Sequence, residues 1–400
     1  MTQCNNLRAR AGSILAVGLL AGACGEVQVD TSISAFELLE ITKWPGGSEM
    51  AYSSVLNASN ATEYADVNNW LIERALFLDY PVVSTEYAGD AERADYVTEV
   101  LVPAGFGYVG HGHSRLNGQE LDYNDALADF QKNSAYVREM GLSPVAFVYQ
   151  DEGGGIDAHQ RALQDAGFLS GVRSGSGWQT DGPCVLAGDV TAPVNWWALP
   201  SVRMQNEPCE GCAVSGEELQ ALIEACREEG GWLITVYDSL GMDGIGNVVG
   251  SGGYTADVGD DRIAWSGLVA GNVADLDGHY PRSAFEHQME QIAEWSDEGL
   301  LWLATTNEAT LFARQRRATA ARLDRIGENT FQLFLDDGLD RSIYTAEMTL
   351  RLAFGEFFQD KVLVIQQGSQ ELLRVQVDGP EMLVNIPPSA IPYLLLFSGR

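Results

Sequence analysis

Residues 107–115 read GYVGHGHSR and form the junction that decides the fold of this chain. The first three residues are a short run of the kind that forms a buried strand. A helical pattern precedes the run at residues 91–102, and a second one follows at residues 124–140. Between them, His111 and His113 lie directly after the strand. The segment therefore predicts a helix, a strand, a polar turn and another helix in succession.

The same alternation of helices and short apolar runs continues over residues 40–323. Such repetition predicts a parallel sheet wrapped by helices, either open or barrel-like, in an α/β domain. The predicted helices cover residues 60–77, 91–102, 124–140, 158–166, 216–229, 284–296 and 308–323, and the predicted strands cover residues 107–109, 144–149, 168–172, 232–237 and 301–304.

The pattern changes at about residue 329, where strands separated by turn residues replace the alternation. This change predicts a small all-β domain over residues 329–400, similar to a sandwich. Such a domain could cover an edge of the larger domain or bind a sugar. The predicted strands are residues 330–335, 348–353, 361–366, 371–377, 382–386 and 393–397.

The N-terminus resembles an export signal. Two arginines precede an apolar run over residues 13–21 that is too short to span a bilayer, and small residues then precede Cys24. We therefore expect residues 1–23 to be a signal peptide of the lipoprotein type, with lipidation at Cys24. Gly25 lacks the acidic character that favours retention at the inner membrane, so we expect an envelope lipoprotein, outer-membrane or periplasm-facing, that meets the membrane only through lipid.

The chain is strongly acidic, with a formal net charge of −32. Loss of residues 1–23 removes two arginines and no acid, which takes the charge to −34. This charge argues against nucleic acid and anionic surfaces as partners.

Four cysteines remain in the body of the chain. In an exported protein they more often form two disulfides than a zinc site, although Cys209 and Cys212 have the spacing of a metal knuckle. The sequence leaves three pairings open. The candidates are Cys184, Cys209, Cys212 and Cys226.

Several ordered segments resemble the polysaccharide deacetylase family, also called the NodB-homology family or carbohydrate esterase family 4. The segments are residues 44–55, 110–114, 147–149, 195–200 and 231–237, followed by a closing strand and helix at residues 301–316. The resemblance implies a distorted (β/α) barrel with its site at the carboxyl ends of the strands. It also implies hydrolysis of acetyl groups from a polysaccharide, with a divalent metal held by an Asp and two His.

The resemblance breaks at the positions that carry the family's chemistry. Asn57 and Ala58 stand where the family has two Asp, and an amide cannot accept a proton from water at neutral pH. Arg115 replaces the second metal-binding His, and its permanent positive charge would repel a cation. Gln150 replaces a Pro, and Tyr237 replaces the His that acts as general acid. The conventional machinery is therefore not expected to assemble.

Other polar residues could form a different site at the carboxyl ends of the strands, here called the mouth of the barrel. His111 and His113 are candidate ligands of a divalent metal such as zinc, with Asp151, Glu152 and Asp238 as neighbouring carboxylates. The simpler interpretation is that the histidines belong to a tight turn and that the acidic run after Gln150 is a solvated loop.

Tyr237, Asp238 and Asp151 are the candidate catalytic residues at the strand ends. A strand tyrosine is more often a packed aromatic than an acid. Trp196, Trp197 and Tyr149 are candidates for binding a sugar ring, although an adjacent tryptophan pair is also ordinary core in a large barrel.

Three hypotheses follow. The chain could be a non-catalytic deacetylase relative, or pseudoenzyme, that binds an acetylated polysaccharide such as a chitin-like polymer, peptidoglycan or a xylan-like polymer. It could instead be an active metal-dependent deacetylase with a rebuilt site. A third interpretation is a structural scaffold of the envelope.

Overall fold

The computed structural model describes residues 35–57, 61–114, 121–150, 153–173, 182–188, 192–204, 212–213, 216–241 and 280–399. The strands are β1 (Phe36–Ile41), β2 (Met50–Leu56), β3 (Asp79–Val82), β4 (Gly107–Gly110), β5 (Ala146–Val148), β6 (Ser170–Val172), β7 (Cys184–Val185), β8 (Val202–Met204), β9 (Cys212–Ala213), β10 (Trp232–Tyr237), β11 (Leu240–Gly241), β12 (Tyr280–Pro281), β13 (Leu301–Leu303), β14 (Ala320–Arg325), β15 (Thr330–Asp336), β16 (Met348–Phe354), β17 (Val362–Gln367), β18 (Gln370–Gln376), β19 (Glu381–Ile386) and β20 (Ser389–Ser398).

The α-helices lie mostly between the strands of the first two thirds of the chain. They are α1 (Ala65–Glu73), α2 (Ser84–Ala88), α3 (Ala91–Tyr96), α4 (Tyr123–Glu139), α5 (Asp157–Asp165), α6 (Gly216–Glu228), α7 (Arg282–Asp297) and α8 (Thr306–Ala318). Single turns of tighter helix occur at Pro45–Gly47, Ala61–Tyr64 and Gly153–Gly155, and α3 continues as a π-helix over Val97–Leu101.

The predicted parallel sheet is confirmed. Its strand order is β6-β5-β4-β3-β2-β10-β8-β9, with β13 also parallel to β2 and the short β7 antiparallel to β10. β2 pairs along one edge with β10, and its other edge is shared by β13 and β3. The sheet curls into a half-barrel. The fold is therefore the mixed α/β, barrel-like class that the alternation predicted.

Both faces of this sheet are buried, which explains why its strands read as continuous apolar runs. In β10, Trp232, Ile234 and Val236 belong to the core on the concave face. Leu233 and Tyr237, which alternate with them, belong to the core between the sheet and the outer helices. The side chains of one strand thus join two separate cores, because successive residues point to opposite faces.

The helix α8 crosses the amino ends of several strands. Thr305 and Glu308 form a capping box at its start. Asn307 then donates to the Tyr108 carbonyl of β4 at 2.6 Å and accepts from the Ala146 amide of β5 at 2.9 Å. The helix is therefore bonded to the sheet edge that lies opposite the expected mouth.

The predicted strands of the C-terminal region are all present, in two antiparallel sheets of order β1-β16-β19 and β14-β15-β20-β17-β18. Several boundaries, and one strand pairing, differ from the sequence expectation. β14 begins at Ala320, so the predicted helix over 308–323 ends at Ala318, and β1 joins β16 from the N-terminal side of the chain. The inner residues of these sheets share one continuous core with the concave face of the parallel sheet.

A disulfide joins Cys184 of β7 to Cys226 of α6, with 5.5 Å between their Cα atoms. This is one of the links that the sequence left open. The side chains of Cys209 and Cys212 lie outside the described part of the chain, as does Cys24. Within the described ranges, no helix combines the length and the apolar character needed to cross a bilayer.

A buried carboxylate connects α8 to the sheet. Asp79 at the start of β3 is fully buried, and its Oδ2 accepts hydrogen bonds from the Thr306 amide and hydroxyl, both at 2.7 Å. Its Oδ1 has no hydrogen-bond partner among the described residues. Burial raises the pKa of Asp79 to about 7 against the opposing effect of the bonds from Thr306.

We expect this group to make stability depend on pH. Because the folded pKa lies above the unfolded value of about 3.9, the contribution of Asp79 is complete below pH ~4 and is lost as the pH rises through about 7. Denaturant unfolding measures the free energy of unfolding of Asp79→Asn and of the unaltered chain. The value for Asp79→Asn minus that for the unaltered chain should increase as the pH rises from 4 to 8. The exposed Asp95→Asn is the control, and equal pH dependence in all three proteins would contradict the account.

Candidate functional site

The turn after β4 lies at the carboxyl edge of the parallel sheet, where the sequence placed the candidate site. Its backbone is bonded to β3 and α2: the His111 amide donates to the Val82 carbonyl at 3.2 Å, and the Thr85 amide donates to the His113 carbonyl at 2.9 Å. The turn therefore follows β4, and its backbone is held by neighbouring elements.

The carboxylate of Asp129 on α4 is hydrogen-bonded to the turn. It accepts from the His113 amide at 2.8 Å and from the Ser114 amide and hydroxyl, both at 3.2 Å. Successive backbone amides of this kind form a concave binding site for an anion. Here the anion is a side chain of the protein itself, and it is only 7% exposed.

Gly112 allows the carboxylate to approach this closely. Its φ is +101°, and a Cβ at this position would lie 2.8 Å from Asp129 Oδ2. The carbonyl of Gly112 accepts from Asn133 Nδ2 at 2.7 Å and from the Ser84 amide at 3.2 Å. Any larger residue would collide with the carboxylate and would also occupy an unfavourable backbone region.

Gln150, at the end of β5, holds the opposite side of the turn. Its Nε2 donates to the carbonyl of His111 and, at 3.2 Å, to the carbonyl of Ser114. The family resemblance has a proline at this position, which has no side-chain donor. The substitution therefore supplies hydrogen bonds that stabilise the turn.

The two histidines have different surroundings. His111 is 5% exposed, and its Nδ1 lies 2.7 Å from the Val148 carbonyl. A donor bond of that kind is the usual way in which a metal-binding imidazole is oriented. His113 Nδ1 is buried and has no hydrogen-bond partner among the described residues.

A metal needs more ligands than these residues provide. Among the described residues, no three His, Cys, Asp or Glu side chains lie close enough together to hold one ion. The described donors alone therefore do not fit the metal site that the family resemblance implies. Arg115, Asp151 and Glu152 lie outside the described ranges, so their predicted roles stay predictions.

The structure does not support an acid role for Tyr237. The side chain is fully buried on the helix side of β10, with ring centroids 5.3 Å from Tyr280 and 5.1 Å from Phe285. Burial raises the pKa of its hydroxyl well above the usual range. Because the strand points this residue away from the concave face, its hydroxyl does not reach the mouth.

Asp238 follows β10 and lies at the mouth. It forms an ion pair with Arg203, the middle residue of the neighbouring strand β8. Both side chains are partly exposed. Proton transfer from water to this carboxylate would have to disrupt the ion pair with Arg203. The geometry thus favours a structural or ligand-orienting role over that of a general base.

The aromatic candidates for sugar binding are mostly packed. Tyr149 is 1% exposed, and its hydroxyl donates to the Trp197 carbonyl at 2.9 Å. Trp196 is buried beneath the guanidinium of Arg314, which lies 4.4 Å from its ring. Trp197 is half-buried and donates from Nε1 to the Phe168 carbonyl at 3.1 Å. Only Trp197 keeps surface that a sugar could contact.

The space directly behind the turn is small. A cavity of about 20 Å³ lies between His111, Asp129, Tyr149, Gln150 and His159. This volume has room for about one water molecule. The cavity is therefore too small for a sugar ring.

The sequence pattern does not predict the role of Asp129 and Asn133, which hold the turn. Both lie on the buried stripe of α4, four residues apart, beside Phe130 and Val137. The available signal was polar side chains at apolar positions of a predicted helix. Such residues are buried only when they find partners, and here the partner is the turn after β4.

No family profile and no curated protein matches the sequence. The fold is similar in part to solved structures of deacetylases and pseudoenzymes. The deacetylase PplD of Streptococcus pyogenes, in complex with acetate, is 11% identical over 31% of this chain and 55% of its own, with a TM-score of 0.28. BA3943, a pseudoenzyme of carbohydrate esterase family 4 from Bacillus anthracis, is 14% identical over 47% of this chain and 64% of its own, with a TM-score of 0.29.

An inferred polysaccharide deacetylase from Mycobacterium smegmatis is 15% identical over 73% of this chain and 100% of its own, with a TM-score of 0.41. The chain spans less than two thirds of the length of the PplD and BA3943 structures. These values describe partial similarity, and the fold assignment stands on the strand order of the chain itself.

We expect Asp129→Asn to destabilise the protein by about 3 kcal/mol. The amide has the same shape as the carboxylate, but its NH₂ group cannot accept the hydrogen bonds that the turn donates, so buried donors would be left unpaired. The exposed Asp125→Asn on the same helix is the matched control and should change stability little. Denaturant unfolding at neutral pH measures both. Equal stability of the two variants would contradict the role assigned to Asp129.

Proposed function

We propose that this chain is a deacetylase-like protein of the cell envelope that binds an acetylated polysaccharide without hydrolysing it. The supporting observation is that the turn carrying His111 and His113 is held as a structural element. Asp129, Asn133 and Gln150 bond to its amides and carbonyls, and none of these bonds requires an ion.

The residues at the other family positions support the same proposal. Hydrolysis of an acetyl group requires a base for the attacking water and an acid for the leaving group. Asn57, directly after β2, has an amide in place of a carboxylate, Tyr237 is buried away from the mouth, and Asp238 is paired with Arg203. The described mouth is therefore better suited to holding a polar ligand than to activating water.

The proposed location rests on the sequence of the N-terminus and on one structural feature. An export signal over residues 1–23 with lipidation at Cys24 would anchor the chain at the envelope, outer-membrane or periplasm-facing. The disulfide between Cys184 and Cys226 supports an oxidising compartment. A chitin-like polymer, peptidoglycan and an acetylated xylan are the partners that fit this location.

The test is acetate release measured together with polymer binding. Acetylated chitooligosaccharide, acetylxylan and peptidoglycan are incubated with the full chain plus zinc, cobalt or manganese, beside a conventional deacetylase. We expect binding to at least one polymer and no acetate release. Metal-dependent release that His111→Ala abolishes would refute the non-catalytic proposal, and failure to bind any polymer would refute the binding proposal.

A second candidate is an active deacetylase with a rebuilt zinc site. The Val148 carbonyl orients His111 as it would a metal ligand, and the buried Nδ1 of His113 has no partner among the described residues. Calorimetric titration with zinc distinguishes the candidates. Stoichiometric binding that is lost in His111→Ala and retained in His287→Ala would favour the rebuilt site, whereas equal heats in all three proteins would exclude it.

A further inference from the structure

We propose that the C-terminal β domain carries its own binding site for one pyranose unit of a polysaccharide. The site, here called the C-terminal cleft, has a volume of about 460 Å³ and lies between the loop after β15 and the linker from β19 to β20. This volume is in the range typical of sites for small organic ligands. The lining residues are Asp336, Asp337, Gly338, Leu339, Arg341, Gln367, Pro387, Pro388, Ser389, Ala390 and Tyr393.

The first wall of the C-terminal cleft is fixed to α8 by Gln315. The Asp337 carboxylate accepts from Gln315 Nε2 at 2.9 Å, from the Leu339 amide at 2.9 Å and from Arg341 at 3.0 Å. The same Gln315 side chain also accepts from the amide of Ala346 at 3.1 Å, at the far end of the loop. Both ends of the loop are thereby anchored to one buried side chain.

The second wall is fixed in the same manner. Gln367 Nε2 donates to Ser389 Oγ at 2.8 Å and to the Ile391 carbonyl at 2.9 Å. The buried Tyr393 donates its hydroxyl to the Pro387 carbonyl. A cleft with two hydrogen-bonded walls needs little ordering when a ligand binds, and this lowers the entropic cost of association.

The polar groups that remain open determine the class of ligand. Asp336 uses one carboxylate oxygen to accept from the Gly338 amide. Arg341 uses its two terminal nitrogens to donate to Tyr344 and Asp337, and Gln367 donates only from Nε2. Asp336 Oδ2, Arg341 Nε and Gln367 Oε1 are thus left without a hydrogen bond within the described part of the chain. One acceptor carboxylate, one amide acceptor and one guanidinium donor on neighbouring walls match the alternating donors and acceptors of sugar hydroxyls.

The same residues argue against a metal ion as the ligand. Asp337 has both oxygens occupied, and the positive charge of Arg341 lies beside it at 3.0 Å. A cation would therefore meet a single open carboxylate and a nearby like charge. A neutral, hydroxyl-rich ligand needs no excess of either sign of charge.

Apolar surface completes the match to a pyranose, whose ring has a face of C–H groups. Pro387 and Pro388 line the cleft. Ile343 on the first loop is 45% exposed, and Ile391 on the second segment is 61% exposed. Single exposed isoleucines are ordinary on a protein surface, so the apolar face for the ring is assigned to the two prolines.

This inference rests on the proposed function for the identity of the polymer. It adds a second contact point on the same chain, which would strengthen binding by raising the effective concentration of polymer at the barrel mouth. The C-terminal cleft would bind one pyranose unit, and the mouth of the barrel would bind a neighbouring part of the same polymer.

The test is calorimetric titration of the full chain with soluble N-acetylchitooligosaccharide and acetylated xylooligosaccharide. Asp336→Ala should raise the dissociation constant by about tenfold, because it removes a charged hydrogen-bond acceptor. Asp340→Ala is the matched control, since Asp340 is exposed and closes a similar turn on the same loop by accepting from the Ser342 amide at 2.9 Å. It should leave the dissociation constant unchanged.

A third variant, Gln150→Ala, separates this inference from the proposed function. Weaker binding by Asp336→Ala, together with unchanged binding by Asp340→Ala, would support the inference whatever the result for Gln150→Ala. Binding that is weakened only by Gln150→Ala overturns the inference and leaves the barrel-mouth proposal standing. Equal weakening by both aspartate variants, or no binding by the unaltered chain, also overturns it.

Discussion

The carboxylate of Asp129 is the constraint on which the site depends. Three donors of the turn after β4 converge on it, and Gly112 is the residue that makes room for it. Asn133, one helical turn further along α4, joins the same turn to the end of β3. These hydrogen bonds all come from protein groups and require no ion. The arrangement is therefore compatible with the proposed binding function.

The rest of the fold follows from the need to cover a concave sheet on both faces. Helices cover the outer face, while α8 and the inner residues of the β domain extend the core of the concave face. Asp79 and Asn307 join α8 to β3, β4 and β5 by hydrogen bonds to strand backbone and by a buried carboxylate. The β domain is thus part of the support of the sheet, and its C-terminal cleft is built on the same helix through Gln315.

Periodicity in the sequence located the elements that have a clear apolar pattern and missed or extended those that do not. The alternation located β4, β5, β10 and their helices because their apolar patterns are continuous. It missed β3, in which Pro81 lies between buried residues, since proline usually marks an edge or a turn. It also extended α8 into β14, because the exposed residues after Ala318 carry no pattern that distinguishes a helix from an edge strand. Site roles were harder still: Tyr237 was placed on the right strand, but the face it occupies depends on tertiary packing.

Amide hydrogen exchange at His113 and Ser114, with and without zinc, tests most directly whether the turn is a structural element. Both amides donate to a buried carboxylate, so the account predicts exchange as slow as that of the central strands, unchanged by zinc. Fast exchange in the metal-free protein, slowed when zinc is added, would show that the turn is ordered by an ion and would contradict the account.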